Sequence, residues 1–203
     1  MVWGWIAAAW LSGSLMFSYW LGLIARHDLK AIGDGNPGGA NLIKAAGVQW
    51  GLAGIALDFL KGYVPLALLL KNGLVGGYAL IPLAAAPVLG HAFSPFMKFK
   101  GGKAIAVTFG VWSALTHFEV SLVYAIILAV LMAIDKGIRK GRPSTPKSDA
   151  FQVVLGMLLV PIYLYAANYS EEFLWCWLVI FAILVLTHRR EIGIFLGRIF
   201  HPQ

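Results

Sequence analysis

The chain of 203 residues is 60% hydrophobic and 12% charged, with a mean hydropathy of +0.78 and a formal net charge of +7. Soluble domains carry about 25% charged residues, so this composition excludes a water-soluble globular protein. The single cysteine, Cys176, lies in an apolar run, which excludes a disulfide framework and a cysteine-based metal site.

Long apolar stretches follow one another along the chain, and a helix needs roughly 17–25 mostly apolar residues to cross a bilayer. The sequence predicts seven spans, near residues 2–25, 46–70, 76–94, 103–118, 120–136, 150–168 and 172–188. Only His117 and Glu119 separate the fourth span from the fifth, so six spans is the alternative count. The predicted fold is an all-α integral membrane protein, a seven-transmembrane-helix bundle in which residues 1–203 form a single polytopic domain.

Basic residues lie almost entirely on one side of this predicted bundle. The segments after spans 1, 3 and 5, together with the C-terminal tail, hold Arg26, Lys30, Lys44, Lys98, Lys100, Lys103, Lys136, Arg139, Lys140, Arg142, Lys147, Arg189, Arg190 and Arg198. The other side holds Lys71 with Glu119, Glu171 and Glu172. The positive-inside rule then predicts an N-terminus outside and a C-terminus in the cytoplasm, which requires an odd number of spans. Attraction to anionic lipid headgroups explains most of these cations without any further role.

The first connecting segment, Ile32–Asn41, holds four glycines, one proline and two asparagines. Such a composition is incompatible with a helix and predicts sharp turns with residues at positive φ. A flexible linker is one interpretation. The other is a ligand loop, because Gly-Asn turns present backbone N–H groups and side-chain amides to anions. We favour the ligand loop, with Asp34, Gly35, Asn36 and Asn41 in it and Lys44 just beyond it.

Two charged residues, Asp58 and Lys61, interrupt the second predicted span three residues apart on one helix face. Charged groups at membrane depth are costly unless they pair with each other or face a polar cavity. The spacing therefore predicts a structural ion pair.

The second connecting segment, Gly90–Lys103, ends in Gly101, Gly102 and Lys103 at the predicted start of span 4. Exposed N–H groups, the positive end of a helix dipole and a cation at one place would form an anion site. The segment is not a P-loop, because Met97 and Ala104 occupy positions that the P-loop reserves for Gly and Ser or Thr. Alternating Phe and Lys between residues 96 and 100 are also typical of a membrane interface.

The third segment of interest, Thr187–Glu191, lies at the end of span 7. His188 and Glu191 are three residues apart, a spacing at which a helix brings side chains together and a hydrogen bond would fix the imidazole tautomer. A capping or structural histidine is the alternative interpretation.

These segments together resemble the bacterial acyl-phosphate:glycerol-3-phosphate acyltransferases, the PlsY family, in order and spacing over nearly the whole chain. The family's first motif reads roughly Gly-Ser-Gly-Asn-x-Gly-Ala-Thr-Asn with Arg three residues on, and residues 33–41 and Lys44 correspond to it. The second motif, Gly-His-x-Phe-Pro-x-Phe-x-x-Phe-Lys-Gly-Gly-Lys, is similar to residues 90–103, with Ser94 in place of Pro. Asp58, Lys61 and Gly62 match Asp-x-x-Lys-Gly, and residues 188–192 resemble His-Arg-Glu-Asn-Ile.

The resemblance implies an enzyme of the bacterial inner membrane with its active site on the cytoplasmic face. It would move a fatty acyl group from acyl phosphate to the 1-hydroxyl of glycerol 3-phosphate, giving lysophosphatidic acid and phosphate. Positioning and charge stabilisation would suffice without a protein nucleophile, because acyl phosphate has a good leaving group. The resemblance also implies no cofactor, no metal and no acyl-CoA. The expected partners are both substrates, the lipid bilayer and a soluble enzyme that makes the acyl phosphate, with no nucleic acid and a monomeric chain.

The family's site residues carry over by position. The catalytic candidates are His188, Lys103 and Asn36. The candidates for binding substrate phosphate are Asp34, Gly35, Asn41, Lys44, Gly101, Gly102 and Glu191. The candidates for a structural or supporting role are His91, Asp58, Lys61 and Arg189.

The sequence departs from the family pattern at the predicted acceptor site. The substitutions are Asp34 for Ser, Ala40 for Thr, Lys44 for Arg, Arg190 for Glu and Glu191 for Asn. The serines that the family tends to carry at the start of span 6 are not clearly present, and Asp149 and Ala150 stand near there. Lys44 keeps the positive charge but loses bidentate phosphate recognition. Two alternatives therefore stand beside a glycerol-3-phosphate enzyme: a paralogous acyltransferase with a different acceptor, and a non-enzymatic membrane binding or transport protein.

Overall fold

A computed structural model describes residues 2–200 of the chain, with side chains described as far as residue 197. Over this range there are nine α-helices and no strand. The helices are α1 (Val2–Ser14), α2 (Phe17–Ile24), α3 (Gly39–Ala46), α4 (Val48–Lys71), α5 (Leu80–Ala92), α6 (Ile105–Leu115), α7 (Glu119–Ile138), α8 (Pro146–Ala166) and α9 (Glu171–Phe200). Short 3-10 helices cover Leu29–Ala31, Gly77–Ala79 and Pro95–Met97. The side chain of Arg198, one of the cations of the predicted cytoplasmic tail, lies outside the described residues.

Six helical stretches in the described part of the chain are long and apolar enough to cross a bilayer. They are Val2–Ile24, Val48–Lys71, Gly77–Met97, Glu119–Ile138, Pro146–Ala166 and Glu171–Gly197. The predicted fourth span contains only α6, whose 11 residues rise about 16 Å, against roughly 30 Å of hydrocarbon. The all-α prediction is confirmed for the described residues, and the six-helix alternative corresponds to the number of long apolar helices.

Contacts between connecting segments show which segments lie at each end of the bundle. At one end Lys103, which precedes α6, contacts Asp34 and Glu191. At the other end Glu119, which begins α7, accepts hydrogen bonds from Tyr163 and Tyr169. The short helix α6 therefore begins at the first end, and the chain that follows it reaches the second.

Helix α5 lies at the centre of the bundle, with ten of its thirteen residues buried. It packs against α1 and α9, while α4 packs against α6. At the contact with α1, a Cβ atom on Gly13 would collide with the backbone of Pro87, and one on Gly90 would collide with the carbonyl of Trp10. Close backbone approach through small residues is typical of helices that pack in lipid, where hydrophobic drive between helices is weak.

The first apolar stretch, Val2–Ile24, corresponds to the predicted span 2–25 but is not one continuous helix. It breaks between α1 and α2, where Met16 has φ −106° and ψ 64°. The carbonyl of Ser14 accepts a hydrogen bond from Ser94 Oγ at 2.7 Å, and the carbonyl of Leu15 accepts one from Lys61 Nζ. Irregular backbone at membrane depth is stable only where protein groups satisfy it in this way.

The glycine-rich segment is only partly as predicted. Gly33 and Gly35 have φ of +57° and +75°, which confirms the expected turns. The prediction that the whole segment excludes helix was wrong, because α3 begins at Gly39. Gly47, at φ +92°, ends α3 and precedes α4.

Candidate functional site

Asp34 lies in a loop that is closed by its own side chains. Asp34 Oδ1 accepts hydrogen bonds from Asn41 Nδ2 at 2.7 Å and from the N–H of Asn36 at 3.2 Å. Asn41, which is 2% exposed, also donates to the carbonyl of Asn36 at 2.9 Å. Both amide hydrogens of Asn41 are thus used within the loop, so its predicted direct contact with phosphate does not fit this geometry. Gly35 likewise donates its N–H to Ile32 within the turn.

Lys103 joins three segments that are far apart in the sequence. Its ammonium group lies 2.7 Å from Asp34 Oδ2 and 3.0 Å from Glu191 Oε1, and its backbone N–H donates to Asn36 Oδ1 at 3.1 Å. Burial raises the pKa of the Asp34 carboxyl. The hydrogen bond and charge of Lys103 outweigh that effect, together with the hydrogen bonds from Asn41 and Asn36, so the pKa of Asp34 is lowered and the group is ionised at neutral pH.

The glycine pair before Lys103 does not present free N–H groups. Gly101 donates to the carbonyl of Ala92 at 3.0 Å and Gly102 to the carbonyl of His91 at 3.1 Å. The prediction of exposed N–H donors was therefore wrong. A Cβ atom on Gly102 would collide with the His91 ring, so close packing explains the glycine there.

The segment around this pair is held in an unusual backbone conformation. Lys98, Phe99 and Ala104 have φ of +53°, +60° and +62° although none is glycine. Such conformations cost about 1–3 kcal/mol each and persist where the surrounding structure enforces them, often at functional sites. Here they turn the chain so that Lys103 faces the loop of Asn36 and α6 begins just beyond it.

His188 is 1% exposed and approaches the same site from α9. Its Nδ1 lies 2.8 Å from the carbonyl of Leu184, so Nδ1 carries the proton and Nε2 is an acceptor in the neutral ring. Nε2 has no hydrogen-bond partner among the described residues. The predicted bond between His188 and Glu191 was wrong, because Glu191 pairs with Lys103 instead. Thr187 Oγ1 donates to the carbonyl of Leu184 at 3.1 Å within α9 and lies 3.4 Å from the carbonyl of Lys103, which brings α9 against the site.

Three cavities meet at Asn36 and Lys103, which line all of them. A largely apolar cavity of about 400 Å³ runs between α3, α4 and α6 along Ile55, Phe59 and Phe109. A polar cavity of about 440 Å³ is lined by Asp34, Lys100, Gly101, Gly102, Arg189, Arg190 and Glu191, among others. A smaller cavity of about 110 Å³ includes Asp34, Asn41, Lys44, Asp149 and His188 in its wall. A large apolar cavity, a polar cavity and a smaller, mostly apolar cavity with charged residues in its wall thus meet at Lys103.

A buried polar cluster, formed by Ser18, Asp58, Lys61 and His91, lies next to the site. Lys61 Nζ lies 2.8 Å from Asp58 Oδ1 and 2.6 Å from His91 Nδ1, and Ser18 Oγ donates to Asp58 Oδ2 at 2.5 Å. The predicted pairing of Asp58 and Lys61 is confirmed. His91 joins this cluster to Gly102 and so to Lys103.

The remaining predicted residues lie at the edge of the site. Lys44 is exposed, with Nζ 3.4 Å from Asn41 Oδ1, and Arg189 is exposed on the wall of the polar cavity. Sequence reasoning assigned no role to Ser18, Ser94 or Thr187. No local pattern marks these residues, because their partners come from distant segments.

The chain is similar in sequence to enzymes that share one description. Residues 3–197 match the family model described as glycerol-3-phosphate acyltransferase. A protein of Thermotoga maritima named glycerol-3-phosphate acyltransferase 1 is 42% identical over 160 residues, which cover 78% of each chain. A glycerol-3-phosphate acyltransferase of Aquifex aeolicus is 27% identical over 185 residues, covering 91% of this chain and 90% of the relative.

Two crystal structures of PlsY, an integral membrane glycerol 3-phosphate acyltransferase, resemble the fold. The glycerol 3-phosphate form has a TM-score of 0.82 and 28% identity, and the lysophosphatidic acid form has a TM-score of 0.80 and 26% identity. Each comparison covers 97% of this chain and 92% of the other.

Proposed function

This chain belongs to the glycerol-3-phosphate acyltransferase family and is an integral membrane acyltransferase, and from that premise we propose its reaction and its site. A fatty acyl group moves from acyl phosphate to the 1-hydroxyl of glycerol 3-phosphate. The products are lysophosphatidic acid and inorganic phosphate.

The observation that carries this proposal is the junction of the cavities at Asn36 and Lys103. Acyl phosphate is amphipathic, with an alkyl chain at one end and a phosphate at the other. The apolar cavity along Ile55, Phe59 and Phe109 suits the chain, and the polar cavity beside Lys103 suits the phosphate groups. The acyl carbonyl would then lie near Lys103, where the two environments meet.

The reaction needs one bond to form and one to break. The 1-hydroxyl oxygen attacks the acyl carbonyl carbon, and the bond from that carbon to the phosphate oxygen breaks. Phosphate leaves with the bonding electrons, and a substrate phosphate oxygen takes the hydroxyl proton. His188 Nε2 would accept a hydrogen bond from the neighbouring 2-hydroxyl and so orient the glycerol, while Lys103 and the Asn36 amide stabilise the negative charge that develops.

We extend the proposal to the membrane arrangement, with seven crossings, the N-terminus outside, and the C-terminus and the site on the cytoplasmic face of a bacterial inner membrane. The distribution of Lys and Arg supports this orientation. The seventh crossing would be α6, whose neighbouring segments lie at opposite ends of the bundle. Eight of its eleven residues are buried, so protein rather than lipid surrounds this short helix. The enzyme would act as a monomer and receive acyl phosphate from the soluble enzyme that makes it.

The test is an acyl-transfer assay on the purified chain with palmitoyl phosphate. Glycerol 3-phosphate is offered as acceptor beside a panel of other polyols and amines, and heat-denatured protein is the control. We expect lysophosphatidic acid and phosphate in equal amounts. Transfer to another acceptor but not to glycerol 3-phosphate would identify a paralogous enzyme. No transfer to any acceptor would support a non-enzymatic binding or transport role.

A further inference from the structure

Two of the departures from the family pattern meet on one side chain. Asp34 stands where the family has Ser, Glu191 stands where it has Asn, and both carboxylates contact Lys103 Nζ, at 2.7 and 3.0 Å. The three side chains are similarly shielded, at 15% exposure for Lys103, 18% for Asp34 and 16% for Glu191. One cation faces two anions, so the charge of Lys103 is already neutralised before any substrate arrives.

The two carboxylates are held unequally. Asp34 is fixed by Lys103, by the side chain of Asn41 and by the N–H of Asn36. For Glu191 the structure shows one partner among the described residues, which is Lys103. Glu191 also has one more rotatable bond than Asp34. Of the two anions, Glu191 is the one that can leave without opening the loop.

There is room for Glu191 to move. It lines the polar cavity of about 440 Å³ together with Lys103 and the exposed cations Arg189 and Arg190. Rotation into this space keeps the carboxylate near solvent and near positive charge. A phosphate that entered while both carboxylates stayed in place would meet two like charges at close range, which disfavours binding.

We propose that Glu191 is a displaceable counterion of Lys103, whose place a substrate phosphate group takes while Asp34 remains bound. Glu191 thereby weakens the affinity for a phosphorylated substrate and is a specificity-determining residue of this chain. The inference rests on the proposed function for its substrates. The displacing group is a phosphate that belongs either to glycerol 3-phosphate or to acyl phosphate, and separate KM measurements distinguish the two.

The test compares Glu191→Gln with Glu172→Gln. Both remove one negative charge from α9, but Glu172 lies in its first turn, at the other end of the bundle. In Glu191→Gln we expect the KM for one phosphorylated substrate to fall about five-fold, because the phosphate no longer has to displace an ion pair, and five-fold corresponds to roughly 1 kcal/mol. We expect kcat to stay within about two-fold, since a group that only competes with bound substrate does not act on the transition state. Glu172→Gln should match the unaltered chain, and Glu191→Ala should reproduce the lower KM.

Asp34→Asn should act in the opposite direction. It removes the fixed anchor of Lys103, so we expect kcat/KM to fall about tenfold. Unchanged KM values for both substrates in Glu191→Gln and Glu191→Ala would overturn the proposal. An equal loss of kcat and kcat/KM in Glu191→Gln would overturn it as well, because Glu191 would then act in the transition state.

Binding of glycerol 3-phosphate or inorganic phosphate, measured by calorimetry, separates this inference from the proposed function. Tighter binding of either anion in Glu191→Gln supports the counterion role even in a chain that transfers no acyl group. The opposite outcome is that the unaltered chain transfers acyl groups while Glu191→Gln shows the same anion binding and the same KM values. That result would support the proposed function and refute the counterion role.

Discussion

Lys61 and Lys103 are two lysines of the same bundle that are used in different ways. Lys61 and its partner Asp58 have side chains that are only 1% and 3% exposed, and the other contacts of Lys61 go to Leu15 and His91. Lys103 is 15% exposed and lines three cavities. Both lysines neutralise carboxylates and both join separate segments. The difference is that Lys61 is enclosed by protein, whereas Lys103 can exchange a protein partner for a ligand.

Burial also sets the energetic consequences of losing each lysine. Breaking a buried pair leaves an uncompensated charge in a medium of low polarity, which costs about 3–5 kcal/mol. Ion pairs that remain accessible to water contribute about 0–1 kcal/mol to folding. We therefore expect Lys61 to determine stability and Lys103 to determine activity, and the following changes test that division.

The largest expected effect is on folding, in Lys61→Met. Methionine fills a similar volume but leaves Asp58 unpaired and the Leu15 carbonyl without its donor, so the free energy of unfolding should fall by about 3–5 kcal/mol. Denaturant unfolding in detergent measures it. Lys71→Met, at the exposed end of α4, is the matched control and should change stability by less than about 0.5 kcal/mol. Similar stabilities for the two variants would contradict the division.

The next effect is on catalysis, in Lys103→Ala. Loss of the cation that stabilises developing charge should lower kcat/KM by about 10²–10³-fold. The free energy of unfolding should change by no more than about 1 kcal/mol, because the ion pairs are partly exposed. Lys98→Ala, five residues earlier and exposed, should retain activity. Near-normal transfer by Lys103→Ala would refute the role of this lysine.

The contacts of Lys61, here called the Lys61 cluster, are better predicted by the sequence than those of Lys103, the Lys103 cluster. Asp58 and Lys61 lie on one turn of one helix, so spacing alone predicts their pairing, and the turns at Gly33 and Gly35 follow from local composition. The pairing of Lys103 with Asp34 and Glu191 joins residues 69 and 88 positions apart, and no periodicity encodes it. The break between α1 and α2 could not be predicted either. The carbonyls of Ser14 and Leu15 that it leaves without helical partners accept hydrogen bonds from Ser94 and from Lys61 in α4, which are distant in the sequence.

The use of the Gly101–Gly102 pair was mispredicted for a related reason. A glycine pair before a lysine is equally compatible with free N–H donors and with close packing. Only the position of the carbonyls of His91 and Ala92 decides between them. Local sequence therefore predicted where the site residues lie in the chain, while tertiary contacts determined which of their groups remain available to a ligand.

The smallest expected effect, in Gly102→Ala, tests whether the Lys61 cluster and the Lys103 cluster are independent. His91 contacts both, since its Nδ1 lies 2.6 Å from Lys61 Nζ and its ring packs against Gly102. In Gly102→Ala the added methyl group must push the ring or the Lys103 segment away, and overpacking of this kind costs about 1–3 kcal/mol. Lys103 would then shift relative to Asn36, so we expect kcat/KM of the folded enzyme to fall about tenfold.

The matched control for Gly102→Ala is Gly137→Ala in α7, where an added Cβ atom meets no other group within 4 Å. That change should leave activity unaltered and raise helix stability slightly, because alanine favours helix by about 1 kcal/mol over glycine. Specific activity and the free energy of unfolding are measured for both variants. A loss of stability in Gly102→Ala without loss of activity would mean that His91 transmits no displacement to Lys103. A loss of both would mean that the enclosed cluster holds the exchangeable lysine in place.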